Sequence, residues 1–188
     1  MFLKRFLKIH GVGEVHGILA DLGISSHQID KPERGFSTRF DAMLDMRMNQ
    51  DTPKTAQDVV NDYSEKDLHR ILGLYGEVRN ARTLAAAMVA ARTNARIVTI
   101  EDLLNVLRRY APRGRENRYF AQVFQALRIE VNEELAALEE FLQQAADVLA
   151  PGGRLVVMSY HSLEDRLVKN FINAGNVLGK QEKDFFGN

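Results

Sequence analysis

Apolar residues recur at helical intervals in the first stretch of the chain. Phe2, Leu3, Phe6, Leu7 and Ile9 alternate with Lys4, Arg5 and Lys8, and Gly11 and Gly13 then end the helix. Val15 to Leu22 is a short, mostly apolar run closed by Asp21 and Gly23. This pattern predicts a buried strand from a parallel sheet covered on both faces. From His27 to Pro53 periodicity fades, and Asp30, Pro32, Gly35, Ser37, Asp41, Asp45, Asn49 and Asp51 bring loop chemistry. The interleaved Phe36, Phe40, Met43, Leu44, Met46 and Met48 predict that this long loop is ordered, since disordered segments are poor in such residues.

Thr55 to Tyr110 is predicted to be wholly helical. A short helix covers Thr55 to Asn61, and Ser64-Glu-Lys-Asp67 is a capping box opening a second helix to about Leu72. Asn80 to Arg92 is alanine-rich and helix-forming, and Thr99-Ile-Glu-Asp102 is a second capping box. After the basic linker Arg113 to Arg118, Tyr119 to about Leu149 carries helical periodicity with a break near its middle. Pro151-Gly152-Gly153 predicts a tight turn, and Arg154 to Ser159 a second strand. Ser162-Leu-Glu-Asp165 is a third capping box, with Ser162 as the N-cap of a helix to about Phe171. The tail holds Gly175, Gly179 and Gly187 and ends on no recognisable stop. Two strand-to-helix units separated by a helical block predict part of an α/β sheet with a helical lobe inserted.

The 188 residues are 45% hydrophobic and 27% charged, enough for one sizeable core or a core with a small lobe. Lys+Arg and Asp+Glu both total 25. That balance argues against a general nucleic-acid coat protein, while leaving room for an enzyme that reads a folded RNA through one local basic face. No cysteine is present, which excludes disulfides and cysteine-based zinc sites. The mixed apolar and basic start is neither a signal peptide nor a membrane span, so a soluble cytoplasmic protein without membrane contact is expected.

Chemistry concentrates at the two strand ends. Asp21 either caps its turn or reaches a ligand in the crevice outside the carboxyl ends of parallel strands. His161 either bonds locally beside a helix start or lines the same crevice, and Ser162 stands at a helix N-terminus suited to a phosphate. Ser25, Ser26 and Gln28 are consistent with plain turn chemistry. Arg47, between Met46 and Met48, could face a phosphate or a neighbouring carboxylate. Arg113, Arg115 and Arg118, with Arg128, form a basic stripe that fits phosphate contact or a solvated face equally well. Tyr119, Phe120 and Phe124 beside it are read as core. The five histidines have no metal-ligand spacing, and no metal is expected. There is no Gly-x-Ser-x-Gly elbow, no Walker A loop and no Gly-x-Gly-x-x-Gly.

In order along the chain stand Gly17-Ile-Leu-Ala-Asp-Leu-Gly-Ile-Ser-Ser26, Gln28, Glu33-Arg-Gly-Phe-Ser37 and Leu44-Asp-Met-Arg-Met48. Phe124-Gln-Ala-Leu-Arg-Ile129, Asn132-Glu-Glu-Leu135, Pro151-Gly-Gly-Arg154 and His161-Ser-Leu-Glu-Asp-Arg166 follow. This series closely resembles the small-subunit ribosomal RNA methyltransferase H family, the bacterial cytosine-N4 enzymes, over roughly residues 1 to 172. The resemblance implies an S-adenosyl-L-methionine-dependent enzyme acting on a cytidine in the decoding region of small-subunit ribosomal RNA. It implies a partial Rossmann-like methyltransferase domain over residues 1–51 and 116–188, with an inserted helical RNA-recognition domain over 52–115. It implies cofactor contacts for Asp21 and Gln28; the placement of Asp21 and His161 at the ends of two neighbouring strands makes them the candidates for catalysis. Arg47, Arg113, Arg115, Arg118 and Ser162 become the candidates for contact with the RNA.

The family also has a first strand with a Gly-Gly-His turn, an acidic ribose contact and a phenylalanine on the adenine side. All of these would lie before Met1, and an Asn-, Arg- and Ala-rich tail would lie after Asn188. His16 stands where an aspartate is common in the family. The chain is therefore expected to be a fragment, a misplaced start or a degenerate copy whose own activity is in question, the alternative function being that of a non-catalytic RNA-binding remnant. A parallel sheet lacking strands exposes apolar edges, so a poorly stable or partnered chain, such as a homodimer, is expected.

Overall fold

The computed structural model describes residues 2–180, so the tail reading at Gly187 lies outside the described residues. The chain forms two compact units. One comprises residues up to Gly23 together with those from Leu135 onward, and the other runs from Ile24 to Glu134.

The first unit opens with α1 (Leu3–Ile9) and β1 (Val15–Asp21). It resumes with α8 (Glu134–Val148), β2 (Leu149–Met158) and α9 (Ser162–Ala174). β1 and β2 pair in parallel, with Ile18 opposite Leu155, Leu19 opposite Val156, Ala20 opposite Val157 and Asp21 opposite Met158. Because side chains alternate along a strand, Ile18, Ala20, Leu155 and Val157 share one face. That face packs against Leu138, Phe141, Leu142 and Ala145, the i, i+3, i+4, i+7 stripe of α8, and against Val168 and Phe171 of α9. Each fully buried large apolar side chain here contributes roughly 1.5–3 kcal/mol.

The expected cover on both faces of β1 is not what the structure shows. Leu19 is 70% exposed, with Val156 and Met158 beside it at 51% and 42%. The physical reason is that the sheet has two strands among the described residues, and the helices pack on one side of it. Pro151-Gly152-Gly153 also departs from the expected turn before a strand, because these residues lie within β2. Val15 faces Leu149 and Gly17 faces Arg154, so Ala150 to Gly153 bulge outward opposite His16. Gly152, at φ +80°, supplies the left-handed backbone that the bulge needs.

The second unit begins with α2 (Ser26–Asp30) and a single 3-10 turn at Pro32–Arg34. Its helices are α3 (Ala56–Asp62), α4 (Glu65–Leu74), α5 (Ala81–Asn94), α6 (Ile100–Leu107) and α7 (Glu116–Asn132). Thr55 and Thr99 form reciprocal capping boxes with Asp58 and Asp102. At Ser64 the box is one-sided: its hydroxyl accepts from the Asp67 N–H and donates to the Asp67 carboxylate. Leu68, Ile71, Leu84, Met88, Leu103, Val123 and Leu127 form the centre of the core, fully buried. Tyr119, Phe120 and Phe124 join it, as their helical spacing predicts. The break expected between Tyr119 and Leu149 falls at Glu133, whose left-handed φ of 51° separates α7 from α8.

The loop between the 3-10 turn and α3 is packed down by buried Phe36, Leu44 and Met46, as its apolar content predicts. Met46 has φ 60°, a conformation that costs a β-carbon residue roughly 1–2 kcal/mol. Asn132 offsets that cost. Its Oδ1 accepts from the Met48 N–H at 2.6 Å, and its Nδ2 donates to the Met46 carbonyl at 2.8 Å.

Candidate functional site at the sheet edge and the basic groove

Parallel pairing brings the carboxyl ends of β1 and β2 to the same edge, and Asp21 is the last residue of β1. Two residues beyond β2, the Tyr160 hydroxyl donates to Asp21 Oδ1 at 2.6 Å. The Asp21 carboxylate holds that phenolic proton and so raises the Tyr160 pKa above its ordinary value. The other carboxylate oxygen of Asp21 has no partner among the described residues. The turn after β1 passes through Gly23 at φ +85°, where a β-carbon would lie 3.5 Å from the Tyr160 ring.

His161 stands at the same edge but is turned into the protein. Its side chain is 8% exposed, with Nε2 3.3 Å from the Glu164 carboxylate. Its Nδ1 accepts from the Glu164 N–H, so His161 is the N-cap of α9. Ser162, expected to be that cap, is instead the first residue of the helix. The imidazole reaches the N3 amide from one position earlier and displaces the serine from the role. The Glu164 carboxylate, buried at 3% exposure, accepts the Tyr160 N–H at 2.9 Å and so fixes the backbone that carries the phenol.

The remaining candidates belong to the second unit. Gln28 closes a capping box at the start of α2: Oε1 accepts from the Ser25 N–H at 2.9 Å, and the Gln28 N–H donates to Ser25 Oγ. Its Nε2 keeps two donors without partners among the described residues. For Arg47 the neighbouring carboxylate is the alternative the structure shows. Its guanidinium forks onto both Asp45 oxygens at 2.8 Å and donates to the carbonyls of Gln50 and Thr52. Burial alone would raise the Asp45 pKa, but the hydrogen bonds from Arg47 outweigh it and leave the carboxyl below its ordinary value. Arg34, whose place beside Glu33 suggests a surface pair, instead donates to the carbonyls of Arg47 and Met48 and clamps the loop.

Arg113, Arg115 and Arg118 line a groove of about 560 Å³, and Arg79 joins them from the turn before α5. None of the four guanidinium groups has a hydrogen bond or ion pair among the described residues. Arg115 is the N-cap residue of α7 and Arg118 lies in its first turn, where the helix dipole adds to the positive potential. Arg128, read from sequence as part of this stripe, is not in it. Its guanidinium grips Glu134 bidentately at 2.8 and 3.0 Å and is largely buried. Its place on the inner side of α7 gives it a carboxylate partner instead of solvent. Arg79 was missed because it is 34 residues from Arg113 and carries no motif of its own.

The sequence matches the model of the MraW methylase family over residues 1–180. It is 61% identical over 187 residues to the ribosomal RNA small subunit methyltransferase H of Cytophaga hutchinsonii, covering 100% of the chain and 63% of that relative. The same-named protein of Flavobacterium johnsoniae is 56% identical over 187 residues, with 100% and 62% covered. For the Bacteroides fragilis protein of that name the figures are 56% identity, 100% and 62%. The chain thus spans about 63% of the length of the curated relatives it matches. A match across nearly the whole chain, together with an acidic strand end at the edge of a parallel sheet, places it: the chain belongs to the MraW methylase family.

Proposed function

We propose that this chain carries part of the machinery that N4-methylates a cytidine in the decoding region of small-subunit ribosomal RNA, with S-adenosyl-L-methionine as methyl donor. On this reading residues 1–51 and 116–188 are a portion of a Rossmann-like methyltransferase domain, and the helices over 52–115 serve RNA recognition. The observation that carries it is Asp21 at the carboxyl edge of two parallel strands, with a free carboxylate oxygen facing the position where α/β folds bind ligands.

The exocyclic nitrogen of cytosine has its lone pair drawn into the ring and is a poor nucleophile. Its methylation needs an acceptor for the amino hydrogens and in-line placement of the reacting groups, which are tasks of positioning. Asp21 supplies an anionic acceptor at the edge. S-adenosylmethionine bears an ammonium, a sulfonium and ribose hydroxyls, and a carboxylate with one uncommitted oxygen suits such a ligand. Gln28 is proposed as a cofactor contact on the family resemblance alone. When bound, that cofactor supplies the methyl group. His161, capped onto α9 and buried, acts as a positioning group, while Ser162 begins a helix whose N-terminus favours a phosphate. Arg113, Arg115 and Arg118 hold the RNA backbone, and Arg47 keeps its loop in shape. Among the described residues no helix is long and apolar enough to cross a membrane.

The second reading is a non-catalytic RNA-binding module. It is favoured by the second unit having its own core and an open arginine groove. Incubation with methyl-tritiated S-adenosylmethionine and unmethylated small ribosomal subunits, followed by nucleoside analysis, separates the two. Methyl transfer predicts label in N4-methylcytidine that disappears in Asp21→Ala. RNA binding at wild-type strength with no label in any nucleoside would leave the binding module.

A further inference from the structure

The sheet edge holds one more group than the methyl-transfer reading uses. Tyr160 is anchored at both ends, its N–H on buried Glu164 at 2.9 Å and its hydroxyl on Asp21 at 2.6 Å, yet it is 68% exposed. Large aromatics held this firmly are ordinarily covered, because their value lies in buried area. Here the tethers fix the ring at the outer end of the bare face that Leu19, Val156 and Met158 present, and Gly23 keeps the adjoining turn free of a side chain.

We propose that Tyr160 is a nucleobase platform and the positioning residue for Asp21: its exposed ring stacks an amine-bearing base while its hydroxyl holds Oδ1 and directs the other carboxylate oxygen at the base's amino group. The proposal rests on the methyl-transfer reading of the same edge and names the chemistry that the edge recognises. A flat π face beside an anionic acceptor suits a planar heterocycle with an exocyclic amine. Cytosine and the adenine end of the methyl donor both meet that description. The phenol's raised pKa agrees with a proton kept on the Asp21 contact.

Calorimetric titration of the chain with cytidine 5′-monophosphate and, separately, with S-adenosylmethionine tests this in wild type, Tyr160→Phe and Tyr160→Leu. Because Tyr160 is exposed, all three are expected to melt together, which is checked first. Tyr160→Leu should weaken one of the probes about 5-fold or more, and Tyr160→Phe, which keeps the ring, should retain most of that affinity. Loss confined to cytidine monophosphate assigns the platform to the RNA base, and loss confined to S-adenosylmethionine assigns it to adenine. The positioning half is read by absorbance titration of tyrosinate, in which Asp21→Asn should lower the Tyr160 midpoint. The proposal is overturned if wild type binds neither probe, if Leu equals wild type, if Phe falls as far as Leu, or if Asp21→Asn leaves the midpoint unmoved. Tyr160-dependent binding of cytidine monophosphate without label in N4-methylcytidine would sink the methyl-transfer reading and leave this one standing.

Discussion

Gly35→Ala is expected to lower the stability of the second unit by about 2–5 kcal/mol, the sum of two costs. Gly35 ends the 3-10 turn at φ +71°, where a β-carbon itself costs about 1–2 kcal/mol. An added β-carbon would also lie 2.6 Å from the Met43 carbonyl oxygen and 2.9 Å from the Asp45 nitrogen. Both are backbone atoms of the loop that Asn132 and Arg34 hold, so neither can swing aside as a side-chain tip would. Overpacking of that kind costs about 1–3 kcal/mol more. Gly114→Ala is the internal control. Its φ is +74°, but nothing lies within 4 Å of the added carbon, so it should incur the backbone cost alone. Thermal denaturation followed by circular dichroism should therefore rank wild type above Gly114→Ala and Gly114→Ala well above Gly35→Ala. Equal melting of the two variants would show that the 43–46 backbone yields to the intruding carbon.

Replacing Arg113, Arg115 and Arg118 together by Gln is expected to flatten the salt dependence of RNA binding. Each guanidinium that neutralises a phosphate releases condensed counterions, and removing one phosphate contact reduces the slope of log K against log salt by about 1. Three contacts predict a slope shallower by about 2 to 3. The three side chains have no acidic partner among the described residues, so the substitution breaks no ion pair there, and folding should be spared. Arg128→Gln is the contrasting variant. Its guanidinium is committed to Glu134, so it should cost stability and leave the slope unchanged. Fluorescence anisotropy with a short ribosomal RNA hairpin across a salt series reads both effects. An unchanged slope in the triple variant would mean the groove is only a solvated face.

The elements were legible wherever local chemistry dictates them. The capping residues Thr55, Ser64 and Thr99, the helical periodicity of α7 and the β-branched run before Tyr160 each state their structure over a few positions. Failures came where distant parts decide. The burial of β1 depends on which layers cover it, and no pattern within Val15 to Leu22 can tell a strand bare on one face from one covered on both. Pro151-Gly152-Gly153 has turn composition, but pairing with β1 absorbs it as a bulge. His161 outcompetes Ser162 as N-cap because its longer side chain reaches the Glu164 amide from one residue upstream. In the candidate site, Asp21 could be found from its strand-end position. Tyr160 was passed over although it follows the same strand logic two residues past β2, because its importance rests on a contact 139 residues away. Arg79 entered the groove, and Arg128 left it, through tertiary packing alone.

The central claim is that the edge bearing Asp21 receives the methyl donor, and a calorimetric comparison of S-adenosylmethionine binding by wild type and Asp21→Ala tests it most directly. Binding in the micromolar range by wild type, weakened by about tenfold or more in Asp21→Ala, is what a lost charge-assisted contact of roughly 1.5–3 kcal/mol predicts. Equal affinity in the two proteins, or no heat from either, would contradict it.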